Sequence, residues 1–223
     1  MPVSKVQKTN GTANRIVEAA VQLFSRQGFA ASSTHEIARL AGVSEVTVFR
    51  YFPRKRNLFW AATESRLRRL RISKELRVRL ESDENPRTAL PGIIALLVET
   101  LHHQPETIRL LYLSLFELDH GADRILRKHL VPLFQPLREY LVRCASKGLI
   151  RDVEPGITTL GLVALIAVHQ GLQSVLTEDG ISCTSTDDAI ATYSNFWMTV
   201  MLPESVISEG DLAANHTISP LAN

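Results

Sequence analysis

Residues 33–55 read STHEIARLAGVSEVTVFRYFPRK, and the fold is decided there. Ser33 stands three residues before Glu36, the spacing of a capping box, in which hydroxyl and carboxylate each satisfy an orphan backbone N–H at a helix start. Ile37, Ala38, Leu40 and Ala41 then fall at helical spacing. Gly42 suits the left-handed residue that closes a helix. Ser44 can cap a second helix, with Glu45 in its first turn, where the dipole favours a negative charge. Val48, Tyr51 and Phe52 form that helix's inner stripe, and Pro53 stops it. Two short helices that cross steeply need a small residue at their contact, a turn residue tolerant of positive φ, and apolar residues on both sides. Ala38, Gly42 and the set Ile37, Val43 and Val48 meet those needs. The agreement of caps, turn and basic exit favours a helix-turn-helix over an ordinary helical hairpin.

Such a motif places its second helix in the major groove. The outward side chains there are Glu45, Val46, Thr47 and Arg50. Arg50 has the fork that takes guanine, and Val46 or Thr47 can meet a thymine methyl. Thr34 and His35, at the start of the first helix, are expected to offer donors and free backbone N–H groups to a phosphate. The run from Thr34 through Ser44, the TVFRYF at 47–52, Lys55 and Leu58 together resemble the tetracycline-repressor (TetR) family of bacterial transcriptional regulators. The likeness is detailed over Asn14–Leu58 and only a general helical pattern beyond. It implies a phosphate-contacting threonine at Thr34, a base- or phosphate-contacting threonine at Thr47, and a backbone-contacting lysine at Lys55. Phe49 departs from the family's usual tyrosine and lacks its hydroxyl; Tyr51 is expected to compensate.

Charge supports this reading. The chain has 223 residues and a net charge of only +2, but residues 1–80 hold 16 Lys/Arg against 5 Asp/Glu (+11), and residues 81–223 hold 9 against 18 (−9). A basic N-terminal part and an acidic remainder point to a polyanion partner for the first alone. Cys144 and Cys183 have neither disulfide nor zinc spacing. The N-terminal MPVSKVQKTNGT lacks the apolar core of a signal peptide. The near-apolar run Ile157–Val168 contains two threonines and is expected to be too short to span a bilayer. A cytoplasmic, nucleoid-associated bacterial protein without membrane contact is the expectation.

The expected architecture is all-α. Residues 1–12 form a flexible arm and 13–56 a three-helix DNA-binding domain, in which Arg15 and Arg26 can reach phosphates. A fourth, connecting helix covers 57–81, starting near Lys55 and carrying a stripe of Leu58, Phe59, Ala62, Leu67, Leu70 and Leu76. Arg66, Arg68, Arg69 and their neighbours load its other faces, mostly as solvated surface. The polar ESDENPR at 81–87 marks a boundary. A larger helical ligand-binding and dimerisation domain follows over 82–202, then a loose tail over 203–223. Pro132 and Pro136 imply a kink or a broken start in the helix read over 122–147.

Segments 157–176 and 187–202 are too apolar for lone surface helices. The family resemblance implies that these two pair with their copies in a homodimer, and a pseudo-palindromic duplex operator asks for two readers. A small hydrophobic or amphipathic effector is expected among Tyr112, Phe116, Glu117, His120, Phe134, His169 and Gln173. The rival reading is a helical-bundle metal protein or di-iron-type enzyme using Glu99/His102 and Glu117/His120, two Glu-x-x-His pairs. No nucleophile–base pair, phosphate loop or cysteine cluster points to other catalysis, and no cofactor is expected. The mechanism expected is repression, released when effector entry moves the fourth helix.

Overall fold

A computed structural model describes residues 5–70, 72–82, 85–116, 127–178 and 185–203, and no strand occurs among them. The helices are α1 (Lys5–Ala31), α2 (Thr34–Ala41), α3 (Glu45–Tyr51), α4 (Lys55–Arg69), α5 (Ile72–Ser82), α6 (Pro86–His102), α7 (Pro105–Phe116), α8 (Val131–Ser146), α9 (Pro155–Glu178) and α10 (Thr186–Met201). The all-α class is as expected.

Two hydrophobic cores organise them. The smaller joins Ile16, Ala20 and Phe24 of α1 to Ile37 and Ala38 of α2, Val48 of α3 and Leu58, Phe59 and Ala62 of α4. Phe24, Phe29 and Phe59 stack at ring separations of 5.3–5.7 Å. Leu110 of α7 is fully buried in this same core, so the second lobe reaches into the first. The larger core joins α5, α6, α8, α9 and α10 through Leu76, Leu90, Ile94, Leu137, Tyr140, Leu162, Ile166, Trp197 and Met201.

Several boundaries differ from expectation for identifiable reasons. The arm read over 1–12 is helical from Lys5 onward. Adding residues to a formed helix needs no new nucleus, which outweighs the weak helix formers Thr9, Asn10, Gly11 and Thr12 there. Residues 1–4 and 204–223 lie outside the described residues, as does Cys183. Gly28 adopts φ 83°, ψ 172°, ending the regular helix where a glycine is needed and leaving Phe29–Ala31 as a separate turn.

The single connecting helix is two helices. Leu70 is extended (φ −68°, ψ 98°) and its N–H bonds the carbonyl of Leu67. At about 100° per residue, Leu67 and Leu76 would lie on opposite sides of one continuous helix. Both are buried, so the chain must break between them. Pro132 sits in the first turn of α8 and Pro136 inside it, which fits the expected irregular start.

The stretch Pro155–Gln173 of α9, 19 residues with a mean hydropathy of 1.4, is long and apolar enough to cross a membrane by length and composition, contrary to the expectation from its shorter core. In this fold it packs against α6, α7 and α8. Gly171 permits that approach: a Cβ there would stand 2.7 Å from Cε2 of Tyr112.

Arg66, expected on the solvated surface, instead joins the lobes. It is only 8% exposed. Its Nη2 lies 2.8 Å from Glu18 Oε2 on α1, and its Nε donates to Glu106 Oε2 on α7 at 3.1 Å. Arg69 adds a contact to Glu18 at 2.5 Å. Burial opposes the charge of Glu18, but the hydrogen bond and charge of Arg66, with Arg69, hold its pKa below the ordinary value. Removing the cation by Arg66→Ala leaves two carboxylates facing an emptied site. Because both remain over a third exposed, the cost expected is about 1–3 kcal/mol, below that of a wholly buried pair. Arg68→Ala should stay within about 0.5 kcal/mol plus the loss of one surface pair. Urea unfolding midpoints of the two variants check this.

Candidate nucleic-acid interface

The two helices of the motif are fixed by local bonds. The Oγ of Ser33 accepts from the N–H of Glu36 at 3.1 Å, and the Ser33 N–H donates to Glu36 Oε2 at 3.1 Å, completing the capping box. Gln27 of α1 donates to the same carboxylate at 3.3 Å, anchoring the motif to the first helix. Gly42 has φ 65°, ψ 43°, and the next N–H, that of Val43, returns to the carbonyl of Ala38 at 3.0 Å. Ser44 caps α3 by accepting from the N–H of Thr47 at 3.2 Å. Ile37, Ala38, Ala41 and Val48 are buried. Leu40, read as an inner position, is 51% exposed; an eight-residue helix has only one narrow buried face, and Ala41 takes it.

The outer face of α3 is open. Val46 is 79% exposed and Phe49 44%. Arg50 is exposed, its guanidinium 5.6 Å from the ring centroid of the half-buried Tyr51. Thr47 is half-buried and shares a 2.9 Å hydroxyl contact with Ser44.

Four residues named for DNA contact, Thr34, His35, Glu45 and Lys55, also have internal partners. The Oγ1 of Thr34 donates to Glu45 Oε1 at 2.6 Å, tying the start of α2 to the start of α3. His35 is exposed, with Nδ1 3.9 Å from the other oxygen of Glu45. The hydroxyl of Thr34 is thus engaged, whereas the first backbone N–H groups of α2 have no partner within the helix. Glu45 acts here as a brace between helix starts. Lys55 donates to the carbonyl of Ala30 at 3.2 Å and lies 4.6 Å from the ring centre of Phe29. Burial lowers its pKa. Its ammonium has three protons, so two remain beyond the Ala30 bond. The two ties escaped the sequence reading because each links separate elements. A carboxylate in one first turn and a hydroxyl in the preceding one were the only signal of the first.

The expected effector residues do not gather in one place. A cleft of 690 Å³ lies between the end of α1 and helices α6, α7 and α9, lined by Ser25, Arg26, Leu101, His102, Glu106, Arg109, Gln170 and Gln173 among others. An adjoining space of 490 Å³ is lined by Phe24, Arg109, Tyr112 and Leu113. Of the residues named, Tyr112 and Gln173 face this region. Arg26, named for a phosphate, also faces it. Phe134 lines a separate 170 Å³ space between α8 and α9. His169 packs on the ring of Tyr193 at 5.7 Å. Phe116 ends α7, and Glu117 and His120 lie outside the described residues.

The described half of the metal reading, Glu99 and His102, does not form a site, and Glu117 and His120 lie outside the described residues. Glu99 is exposed, and His102 Nδ1 bonds Gln170 Oε1 at 3.2 Å. Among the described residues no three His, Cys, Asp or Glu side chains converge.

Residues 16–62 match the family of bacterial regulatory proteins described as the tetR family. The uncharacterized HTH-type transcriptional regulator YvkB of Bacillus subtilis is 30% identical over 141 residues, covering 63% of this chain and 71% of that protein. The HTH-type transcriptional repressor NicS of Pseudomonas putida is 27% identical over 153 residues, covering 66% and 70%. The solved structure of AibR, in complex with isovaleryl coenzyme A and operator DNA, shares the fold at a TM-score of 0.67 with 15% identity, covering 83% of this chain and 97% of that one.

The capping box makes the motif sensitive to acid. The Ser33 backbone and side-chain bonds, with smaller help from Gln27 and Arg39, hold Glu36 below its ordinary value of 4.5. A depressed carboxylate contributes stability that is present above its unfolded pKa and lost as pH falls through the folded one. The urea midpoint should therefore drop as pH is lowered past 4.5. Glu36→Gln should start lower at pH 7 and show a smaller drop.

Proposed function

Since the chain belongs to the tetR family of bacterial regulatory proteins and is a DNA-binding transcriptional regulator, we propose that it acts as a cytoplasmic homodimeric repressor, released from its operator by a small effector. One observation carries the DNA half of this reading: a capped, braced seven-residue helix whose outer face leaves Val46, in its first turn, and Arg50, in its last, open to solvent. Arg50 is the guanine reader and Val46 the thymine-methyl contact. The N-terminal N–H groups of α2 and the remaining protons of Lys55 take phosphates. Thr47, half-exposed beside Val46, takes a base or phosphate, and Tyr51 sits behind Arg50 to orient it. Phosphate contacts supply most of the affinity, and base contacts supply the choice of site.

The dimer is supported by α9 and α10. Ile157, Leu160, Leu165, Val168 and Leu172 recur every three to five residues along α9 and are 43–73% exposed. Phe196 and Val200 extend this apolar surface on α10 at 50% and 36%. Exposed apolar residues along two helices that touch through His169 and Tyr193 are the kind of surface a second copy covers. Two copies would set two recognition helices about 34 Å apart, one turn of duplex. An effector shifts the equilibrium only by binding one spacing of those helices better than the other.

Arg50→Ala should lose about 1–3 kcal/mol of discrimination at one base pair of each half-site while keeping non-specific binding. Lys55→Gln should weaken binding to every duplex and reduce the salt slope by about 1. Anisotropy titrations on a bound duplex, its single-pair variants and a random duplex read both effects. A double change, Leu165→Glu with Phe196→Glu, should give a folded monomer by sedimentation with operator affinity reduced at least tenfold. Retention of the dimer would contradict the assignment of that face.

A further inference from the structure

We infer that the cleft between the end of α1 and helices α6, α7 and α9 is an effector site for an amphipathic carboxylate, with Arg26 and Arg109 holding the head group. This rests on the regulator reading and adds a ligand class and a place. Arg26 comes from the last regular turn of α1, and Arg109 from the middle of α7; both line the 690 Å³ and the 490 Å³ spaces. Among the described residues neither has a carboxylate partner, and Arg109 makes only a 3.4 Å contact to the carbonyl of Ser25. Among the described residues, the one carboxylate on the cleft wall, Glu106, is engaged by Arg66. Two guanidinium forks facing one space are suited to an anion that each can grip with paired N–H donors.

The remaining walls fit an apolar body. Leu101 lines the larger space, and Phe24, Leu113 and Tyr112 line the adjoining one. The hydroxyl of Tyr112 is buried without a hydrogen-bond partner among the described residues. Gly171, on the larger cleft, lies against it: a Cβ there would be 3.2 Å from that oxygen.

The position gives such a ligand leverage. A carboxylate gripped by both arginines ties α1, which carries the DNA-binding lobe, to α7. Arg109 is one helical turn from Glu106, which shares Arg66 with Glu18. The head group therefore binds beside the joint that sets the angle between the lobes. Any effect on DNA affinity must be matched by an equal effect of DNA on the ligand's affinity.

Calorimetry of the full chain with decanoate, 1-decanol and decyltrimethylammonium tests the site. Decanoate should bind and the other two should not. Arg26→Gln and Arg109→Gln should each weaken decanoate about tenfold or more, the loss of a charge-assisted bond, with thermal midpoints close to the parent's. Equal binding of decanoate and decanol, or unchanged binding in variants that remain folded, would overturn the proposal. Decanoate should also change the parent's DNA affinity severalfold, but not that of the double variant; no change in the parent despite binding would overturn the regulatory part. A parent protein that binds decanoate through both arginines, yet never prefers one duplex to another, would keep the site and refute the regulator reading.

Discussion

A nearly buried guanidinium, that of Arg66, holds this molecule's two lobes in one arrangement. It is a single side chain on α4 facing carboxylates on α1 and α7. Desolvating a cation is expensive, so its partners must be present together for the fold to keep it. Leu110 reinforces the constraint by placing an α7 side chain in the core of the DNA-binding lobe. The two lobes therefore cannot slide independently. Motion of α7 must be transmitted to α1 and α4, and with them to the motif that α1 carries.

The recognition unit itself is too short to be stable alone. Helices of seven and eight residues lie well below the length at which isolated helices persist in water. They survive because their ends are satisfied and their inner faces are buried. Glu45 contributes in an unexpected way, by bracing the start of α3 to Thr34. That brace puts a carboxylate near a place where phosphate would approach. It fixes geometry at some cost in attraction, which the arginines and lysines of this lobe offset.

The legible parts of this fold were the local ones. Ser33 with Glu36, Gly42 and Ser44 declared themselves because caps and turns depend on residues three or four apart. The break at Leu70 was readable in principle, since Leu67 and Leu76 cannot share a face, yet the continuous run of charge and leucine concealed it. Arg66 was not readable. Its partners lie 48 and 40 residues away, and nothing local separates it from Arg68 or Arg69. The cleft was hidden for the same reason: it is built from four helices, and Arg26 looked like one more surface cation. Of the residues expected around an effector, Tyr112 and Gln173 face it, whereas Phe134 and His169 were drawn elsewhere by their own helix faces.

Sequencing the duplexes that the intact protein retains from a random library tests the whole account most directly. Two-fold-related half-sites centred about one helical turn apart are the expected outcome. Retention without enrichment of any sequence, or enrichment of one unpaired half-site, would contradict it.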